Sequence, residues 1–536
     1  MSPRVLDSVP KRLLEAMAEL TGRYPALYFS GGVVRDWLLG RQPVDLDLTV
    51  ASGALALASE LASRLGGAFV PLSESEGVAR VVWGKNCLDI SQFREGTTTI
   101  EDDLSRRDFT VNALAVGFDS ARLSLAGEGR LIDPLTGVAD LYRGQIRLAH
   151  AGAVAADPLR MLRAYRFRAV FAWQIEPQTQ AAIASQAVLI RGVSGERVAA
   201  ELDKILACPT ASPTIKEMAE AGLLFHLFPE LKNGVGLLQP SSHHLDVFGH
   251  SLETLCQMEG ILEGPDRFFP RQAGAEKSPR QAGTEESPRQ AGAEESPRQA
   301  GTDARQPLKE EGPSGWSREF AAYLSPPRQT VRLKYAALFH DLGKVTTQAD
   351  KDGRITFYNH DEAGVELVAE IARRLHWSND DTRRIGQLVR QHMWPFHLQN
   401  ARVRTGVTPK AILKLVKAAG EELIGLFFLA MADSLAGQGP GKPAGMEGAV
   451  VALFNEVFET YQGRLKPILA KPLLTGHDLI ATLHLTPGPL FKQLLDGLQE
   501  ARATGPEMTK AEALAWAQGY AARLEEGEGG MSLPRT

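Results

Sequence analysis

The chain has 536 residues, of which 44% are hydrophobic and 23% are charged, and its net charge at pH 7 is -5. This length predicts several domains, and this composition excludes a collagen-like, largely disordered or membrane-embedded chain. No apolar run approaches the roughly 20 residues of a transmembrane helix, and the N-terminal residues lack the apolar stretch of a secretory signal, so we expect a cytoplasmic protein. The negative net charge does not exclude nucleic-acid binding, because a local basic patch is sufficient for it.

The first 150 residues predict a small α/β head, residues 1–150. Runs rich in β-branched and aromatic residues alternate there with helical patterns and turn residues. The expected strands cover residues 26–30, 44–50, 79–84 and 87–93, and short helices are expected at 33–39 and 53–65. This alternation indicates a small sheet with helices between its strands.

Helical spacing dominates after the head. We expect a helical neck at 151–235, a second helical domain at 236–435, and a helical C-terminal module with a flexible tail at 436–536. The first neck helix is predicted to begin near Asp157, which can cap it, and Pro158, which suits a first turn. The fold class that follows is an α+β head joined to all-α parts.

A motif of nine residues is repeated in four copies between residues 269 and 304, as in SPRQAGTEE and SPRQAGAEE. The repeats contain almost no apolar residues, so they cannot offset the entropy cost of becoming ordered, and their period is too short for a solenoid unit. We predict a flexible insertion without chemistry of its own at about 263–315.

The strongest local motif joins a glycine turn to a pair of aspartates. In SGGVVRDWLLG, Gly31 and Gly32 lie between a predicted strand and a helix, where backbone N–H groups can approach a phosphate. Asp45 and Asp47 follow two apart on the next predicted strand, so both carboxylates should point to one face. Such a pair can hold the metal ions of a phosphoryl-transfer site, and Asp89 on a neighbouring strand can supply a third carboxylate. The alternative is a solvated strand face.

Five sequence blocks follow one another in the first part of the chain. They are GGVVRD (31–36), DLD (45–47), RRDFTVNALAV (106–116), DPLRMLRAYRF (157–167) and GVSGERVAAELDKIL (192–206). In these blocks the chain resembles the class II tRNA nucleotidyltransferases and the related bacterial poly(A) polymerases, within the polymerase β superfamily. The resemblance implies a small mixed-sheet nucleotidyltransferase head followed by an all-α neck.

The resemblance also implies an activity and the residues that carry it. The enzyme would transfer CMP, AMP or both from CTP and ATP to the 3′ end of tRNA without a nucleic-acid template. The alternatives are a CC-only adding enzyme and a poly(A) polymerase. By resemblance, Asp45 and Asp47 would hold Mg²⁺ as catalytic residues; Asp89 is the third catalytic candidate on its strand position alone. The nucleotide would be bound by Gly31, Gly32, Arg35, Asp36, Arg107, Asp108, Asn112, Asp157, Arg160 and Arg163.

The neck block also has a physical interpretation. Asp157 and Arg160 are three residues apart, so a helix would place an acceptor and a forked donor side by side. Adenine and cytosine each present an amino donor beside a ring-nitrogen acceptor, which this pair complements, whereas guanine and uracil do not. The alternative is a surface ion pair that contributes about 0.2 to 0.5 kcal/mol. Arg166 and Arg168 on the same helix would bind the RNA backbone.

Two features depart from the family pattern. Ala156 stands where an acidic residue usually precedes the DPLR block. The segment REGTTTIEDDLS, residues 94–105, is shorter than the flexible loop of many enzymes that add the complete CCA sequence. A short loop is typical of CC-adding enzymes, so the choice between CCA, CC-only and A addition stays open.

A second set of metal-type residues lies downstream. The pattern H…HD…D is the signature of HD-domain phosphohydrolases, and an adjacent His and Asp are costly to bury unless they have partners. By this resemblance, a divalent transition metal or Mg²⁺ would be bound by His250, His340, Asp341 and Asp433, with His360 and His392 as extra ligands and Lys344 near a phosphate. Such a site would hydrolyse phosphomonoesters or cyclic phosphates. In an alternative of another class, the whole protein is an RNA-binding metal-dependent phosphohydrolase.

The run at 471–505 resembles the helical end module of the HD-containing members. Its Pro487-Gly488-Pro489 turn predicts the start of an amphipathic helix, which we assign to packing or tRNA contact. The expected partners are tRNA, CTP and ATP, with no membrane, and the sequence leaves the oligomeric state unknown.

Overall fold

The computed structural model describes residues 8–24, 26–43, 45–119, 124–125, 131–271, 316–485 and 487–525. Most of the repeat insertion and the C-terminal tail lie outside these residues. The chain divides into two compact units. The first comprises Met1–Leu238, Asp246–Glu259 and Asp341–Arg383, and the second comprises Gln239–Leu245, Gly260–His340 and Arg384–Thr536.

A mixed sheet of eight strands forms the head, in the first unit. Its strands are β1 Leu27–Ser30, β2 Leu46–Val50, β3 Ala68–Ser73, β4 Val78–Trp83, β5 Asn86–Gln92, β6 Ala115–Asp119, β7 Ser124–Leu125 and β8 Leu131–Ile132. Their order is β3-β4-β5-β2-β1-β6-β7, with β8 also paired to β6. Strands β2 and β5 are parallel, and the other pairs are antiparallel. The predicted α+β class with a mixed-sheet head is confirmed.

The sequence patterns missed four strands of the sheet, β3, β6, β7 and β8, and the longest of them, β3, shows one reason. It lies at one edge, pairs only with β4, and leaves Phe69, Val70 and Leu72 more than a third exposed. A strand whose apolar residues are exposed on both faces lacks the alternation that identifies a half-buried strand. Pro71, which cannot donate to a neighbouring strand, is tolerated because the edge is open.

Helices pack against this sheet and continue into the neck. They are α1 Lys11–Leu20, α2 Gly32–Leu38, α3 Ala54–Leu65, α4 Ile100–Ser105, α5 Gly137–Arg143, α6 Ala153–Ala156, α7 Leu159–Phe171, α8 Pro177–Gln186, α9 Gly195–Leu206, α10 Ser212–Glu220, α11 Leu223–Leu227 and α12 Pro229–Lys232. Leu57, Leu61 and Leu65 recur every fourth residue on α3, so one face of this helix enters the core of the head. A short parallel pair, β9 Gln145–Ile146 and β10 Gln174–Ile175, also lies in the first unit.

The rest of the described chain is mostly helical. Its helices are α13 Val247–Glu263, α14 Pro265–Phe268, α15 Ser317–Leu324, α16 Gln329–Phe339, α17 Lys344–Thr347, α18 His360–Arg374, α19 Asn379–Gln391, α20 Trp394–Thr405, α21 Pro409–Ala419, α22 Leu423–Ala436, α23 Met446–Thr460, α24 Lys466–Ala470, α25 Gly476–Leu483, α26 Pro489–Thr504 and α27 Lys510–Glu525. The helical pattern expected after the head is interrupted by the short strand β10 in the neck and by a hairpin of β11 Ala349–Lys351 and β12 Arg354–Thr356. Asp352 and Gly353 both have positive φ, as the two-residue turns that join hairpin strands often require.

Two apolar clusters lie in the second unit. In one of them, the rings of Phe269 and Phe320 contact each other, and each contacts the rings of Phe428 and Phe454. The C-terminal module has its own core, formed by Leu474, Leu479, Leu494, Leu498, Ala513 and Ala517. Its long helix α26 begins at Pro489, as the turn residues predicted. Across the residues that the structure describes, no helix has both the length and the apolar character needed to cross a membrane.

Candidate functional site

The glycine turn between β1 and α2 brings backbone, carboxylate and guanidinium together. Gly31 has a φ of 76°, in the left-handed region. A Cβ atom placed on Gly31 would lie only 2.7 Å from Nη1 of Arg107, and one placed on Gly32 would lie 3.5 Å from Oδ2 of Asp47. The turn therefore has no room for a side chain at Gly31, and the Asp47 carboxylate faces it.

The three predicted catalytic carboxylates lie on or beside two neighbouring strands. Asp47 on β2 is directly opposite Asp89 on the parallel strand β5. Asp45 differs from the prediction in one respect, because β2 begins at Leu46 and Asp45 lies in an exposed bend just before it. The pKa of Asp47 is raised to about 6, first by burial and further by Asp89 and Asp45, although Arg107 and Arg35 lower it. The two other carboxylates therefore act electrostatically on Asp47.

Asp89 has a partner that the sequence analysis did not identify. Arg80 on β4 is directly opposite Asp89, and its Nε and Nη2 donate to the two carboxylate oxygens at 2.7 and 2.8 Å. The carboxylate also raises the pKa of Arg80. Asp89 thus differs from Asp47, which forms no such two-pronged ion pair among the described contacts.

Arg107 is fixed underneath the glycine turn. Its Nη2 donates to Ser30 Oγ at 2.8 Å and to Thr49 Oγ1 at 3.0 Å, and it lies 3.4 Å from Oδ2 of the fully buried Asp103. Ser30 is the last residue of β1, Thr49 lies within β2, and Asp103 is on α4. Three elements of the head therefore hold this guanidinium beside Asp47.

Five predicted nucleotide-binding residues form one hydrogen-bonded chain. Arg163 donates to Asp108 Oδ2 at 3.0 and 2.6 Å, and Asn112 Nδ2 donates to Asp108 Oδ1 at 3.0 Å. Arg35 in turn donates to Asn112 Oδ1 at 2.8 Å and to Asp36 Oδ1 at 2.7 and 2.9 Å. Burial alone would raise the pKa of Asp108, but Arg163 and the hydrogen bonds hold that pKa well below its usual range. This hydrogen-bonded series of side chains joins the neck helix α7 to the head.

Asp157 and Arg160 do not form the expected side-by-side pair on one helix face. Asp157 is extended, with a φ of -148°, and precedes the first residue of α7. Its carboxylate accepts from the Leu159 N–H at 3.1 Å and from Arg197 Nη2 at 3.0 Å. Arg160 donates instead to the backbone carbonyls of Ala153 and Arg106, at 3.3 and 3.2 Å. Arg197, in the fifth sequence block, is a partner that the sequence analysis missed.

The two arginines predicted to bind RNA are both in ion pairs within the chain. Arg166 Nε donates to Glu201 Oε2 at 2.6 Å, and Arg168 donates to Glu217 at 2.8 to 3.1 Å. Both arginine side chains are 18% exposed. These pairs join α7 to α9 and α10, so each arginine has a structural role whether or not it also contacts RNA.

The first unit holds one part of the histidine and aspartate set. Asp341 lies between two imidazoles, with its carboxylate oxygens 3.7 Å from His250 Nε2 and 3.5 Å from His360 Nε2. Lys344 Nζ donates to Asp341 Oδ2 at 2.6 Å. All four side chains are buried. A buried carboxylate between two imidazoles has the chemistry of a metal-ligand set.

The second unit holds the other part. His340 Nε2 lies 3.9 Å from Asp433 Oδ1, and the rings of His340 and His392 are 5.2 Å apart. In both histidines Nδ1 contacts a backbone carbonyl, at 2.9 and 2.7 Å. His360 in the first unit has the same arrangement, at 2.8 Å. Because a carbonyl can only accept, Nδ1 carries the proton, and Nε2 of the neutral ring keeps the lone pair that binds a metal.

Three family models match successive parts of the chain. They are the Poly A polymerase head domain at residues 27–147, the probable RNA and SrmB-binding site of polymerase A at 173–234, and the HD domain at 316–436. The first match contains the glycine turn and its carboxylates. The third contains His340, Asp341, His360, His392 and Asp433.

Two curated relatives and one solved structure are similar over most of the chain. The A-adding tRNA nucleotidyltransferase of Deinococcus radiodurans is 33% identical over 505 residues, which cover 93% of this chain and 96% of that protein. The CC-adding tRNA nucleotidyltransferase of Thermus thermophilus is 29% identical over 495 residues, 91% of this chain and 92% of that one. The complex of a CCA-adding enzyme with CTP shares the fold with a TM-score of 0.58 and 23% identity, covering 99% and 97% of the two chains. The chain therefore belongs to the tRNA nucleotidyltransferase family, as a nucleotidyltransferase with an HD domain.

Proposed function

We propose that this enzyme transfers CMP, AMP or both from CTP and ATP to the 3′ end of tRNA without a nucleic-acid template. The observation that carries the proposal is the Asp47 carboxylate, which faces the glycine turn beside Arg107 and opposite Asp89. A triphosphate needs a backbone that can be closely approached, a cation and a metal-holding carboxylate in one place. Relatives named for A addition and for CC addition support the same chemistry.

The carboxylate set suits a hard divalent cation. Oxygen is the ligand that Mg²⁺ prefers, and burial together with Asp45 and Asp89 makes the ionised form of Asp47 costly, as its raised pKa records. Asp45, Asp47 and Asp89 would hold Mg²⁺, which would neutralise charge on the triphosphate and ease ionisation of the 3′-hydroxyl. Arg107 would orient the phosphates, because three elements of the head already fix its guanidinium.

Base selection is assigned to Asp157 and Arg160, although they are not paired with each other. Arg197 holds one oxygen of the Asp157 carboxylate, and Arg160 is held by the carbonyls of Ala153 and Arg106. Other residues therefore orient both side chains. The Asp157 carboxylate keeps acceptor positions and the Arg160 guanidinium keeps donor positions that can bind the edge of a base. An acceptor and a donor held in this way would complement adenine and cytosine and reject guanine and uracil.

We further propose that the enzyme adds a single kind of nucleotide. The short segment at 94–105, before the RRDFTVNALAV block, is held in place because the Arg94 N–H and guanidinium both donate to Asp103 Oδ1, at 3.0 and 2.9 Å. Arg106 donates to the Glu95 carbonyl at 2.6 Å. A segment held at both ends offers little freedom to change the pocket between CTP and ATP. The relatives named separately for A and for CC addition are consistent with such fixed specificity.

Incubation of the purified enzyme with tRNA that lacks its 3′ end tests the proposal. CTP, ATP, GTP and UTP are supplied singly and as a CTP and ATP mixture, and the extended 3′ ends are sequenced. We expect addition from CTP alone or from ATP alone, and none from GTP or UTP. Long A tails would select a poly(A) polymerase, complete CCA would contradict the fixed specificity, and free use of GTP and UTP would contradict the assignment of Asp157 and Arg160.

A second activity is favoured by the shared orientation of His340, His360 and His392, whose Nδ1 atoms all face carbonyls. We propose that the HD residues bind a divalent metal ion and hydrolyse phosphomonoesters or 2′,3′-cyclic phosphates. Phosphate release from a monoester, or opening of a 2′,3′-cyclic phosphate to a monoester, should depend on added metal and be lost in Asp341→Asn. Release should persist in Asp45→Ala, in which nucleotide addition is lost. If the wild-type protein released phosphate but added no nucleotide, the alternative of an RNA-binding phosphohydrolase would gain support.

A further inference from the structure

Arg80, Asp89 and Asp47 form a row across three neighbouring strands of the head. Asp89 on β5 is opposite Asp47 on the parallel strand β2 and opposite Arg80 on the antiparallel strand β4. Residues directly opposite each other on paired strands project from the same face of a sheet. The row therefore places a cation on the same face as the carboxylates of the proposed active site, next to Asp89.

The contact between Arg80 and Asp89 fixes how the carboxylate is turned. Two parallel hydrogen bonds, of 2.7 and 2.8 Å, engage both carboxylate oxygens. Such a two-pronged contact determines position and rotation together, which a single lysine donor cannot do. Because each carboxylate oxygen can accept about two hydrogen bonds or metal contacts, one acceptor position on each oxygen remains. Asp89 is thus oriented and still able to bind a second partner.

Stability alone gives little reason for this pair. The side chains of Arg80 and Asp89 are 40% and 25% exposed, and exposed ion pairs contribute little to folding. A geometric role is different, because a carboxylate that takes part in a reaction must be held in a narrow range of orientations. Arg107 is held by contacts from three elements of the head, whereas the hydrogen bonds described for the Asp89 carboxylate both come from Arg80.

We propose that Arg80 is a positioning residue for nucleotidyl transfer, which holds the Asp89 carboxylate in the orientation that completes the set with Asp45 and Asp47. This inference rests on the proposed function and deepens it. Arg80 acts through Asp89 and need not touch the nucleotide or the tRNA.

A double-mutant cycle on the full-length enzyme tests the proposal. Arg80→Met should lower kcat for nucleotide addition by about tenfold to a hundredfold, because a misplaced catalytic group costs that much. KM for CTP or ATP should change little, and the Mg²⁺ concentration that gives half the maximal rate should rise. Arg80→Lys, which keeps the charge but makes a single contact, should recover only part of kcat.

The decisive part of the cycle is the Asp89→Asn background. If Arg80 acts only through Asp89, Arg80→Met has no further effect once Asp89 has been changed. A loss of the same size in both backgrounds would overturn the proposal, as would a wild-type kcat in Arg80→Met. If Arg80→Met does not fold, as judged by circular dichroism, the cycle is run with Arg80→Lys and the same two criteria apply.

Arg64→Met is the matched control. Arg64 is 37% exposed and forms an ion pair of 2.6 Å with Glu19 in the same unit. Its loss should change the unfolding midpoint about as much as Arg80→Met does, with kcat unchanged. An equal drop in kcat for both variants would show a general effect of lost ion pairs and would contradict the positioning role. A wild-type enzyme that adds no nucleotide would instead refute the proposed function.

Discussion

The head sheet brings several carboxylates together and the neck helix α7 brings several arginines together, but these two groups of like charges have different partners. Three of the four arginines of α7 have carboxylate partners within the chain, in the pairs Arg163 with Asp108, Arg166 with Glu201 and Arg168 with Glu217, whereas Arg160 donates to backbone carbonyls. At the sheet, burial in the first place and then Asp89 and Asp45 raise the pKa of Asp47 to about 6, although Arg107 and Arg35 lower it. Charge that the fold neutralises joins elements of the structure. We propose that the cluster of carboxylates at the sheet marks the place where a cation from solution binds.

The largest stability effect should come from the neck. Arg163→Met leaves the Asp108 carboxylate buried without its cation, so we expect the free energy of unfolding to fall by about 3 kcal/mol. Because the pKa of Asp108 is depressed in the folded protein, this contribution is present above the ordinary carboxyl range. It should disappear only as the pH falls through the depressed value. Urea unfolding of both proteins at pH 7 and in acid measures the difference.

The control for this prediction is Arg23→Met. Arg23 pairs with Glu60 at 2.8 Å, but its side chain is 70% exposed. Its loss should change the free energy of unfolding by at most about 1 kcal/mol. Equal effects of the two substitutions would contradict the view that the neck pairs are structural.

A smaller effect of opposite sign is expected at Asp47. Its folded pKa of about 6 lies above the ordinary value, so the folded state binds the proton more tightly than the unfolded state does. In EDTA, stability should therefore fall as the pH rises from about 4 to about 6, by about 2 kcal/mol in all. Asp47→Asn should remove this pH dependence, and Mg²⁺ should restore part of the lost stability at pH 7. The comparison fails if wild type and Asp47→Asn show the same pH dependence in EDTA.

The smallest effect should be seen at Arg168. The charge of Arg168 is already compensated by its ion pair with Glu217, so this arginine does not need an RNA phosphate as a partner. We expect Arg168→Met to leave unchanged the slope of tRNA affinity against salt concentration, plotted as logarithms. A slope smaller by about one would show a lost phosphate contact and would support the RNA-binding prediction instead.

The sequence was sufficient for features that depend on local patterns. The strands β1, β2, β4 and β5 and the helices α2 and α3 follow from hydrophobic periodicity and turn residues. The glycine turn and Asp47 follow from a motif whose parts are close in sequence. The neck helix begins at Leu159, one residue later than predicted, because helix ends are poorly fixed by sequence, but Asp157 accepts a hydrogen bond from the Leu159 N–H as the predicted cap would.

Some contacts between side chains on different elements can be predicted from the sequence, and others cannot. The pair of Arg80 and Asp89 was predictable in principle, because a two-residue turn, Gly84-Lys85, joins Trp83 to Asn86 and so fixes the register of β4 and β5. The contact of Arg197 with Asp157 was not, because it depends on how two neck helices pack. No local pattern encodes that arrangement.

Nucleotide addition by Asp47→Asn tests the central claim most directly. The rate is measured in a single turnover, with tRNA that lacks its 3′ end and whichever of CTP or ATP the wild type uses, and circular dichroism verifies the fold. Loss of a metal-holding carboxylate should lower the rate on the order of a thousandfold, because metal binding stabilises the transition state by several kcal/mol. A folded Asp47→Asn enzyme that retains a rate within about tenfold of wild type, at odds with a loss of several kcal/mol, would contradict the claim.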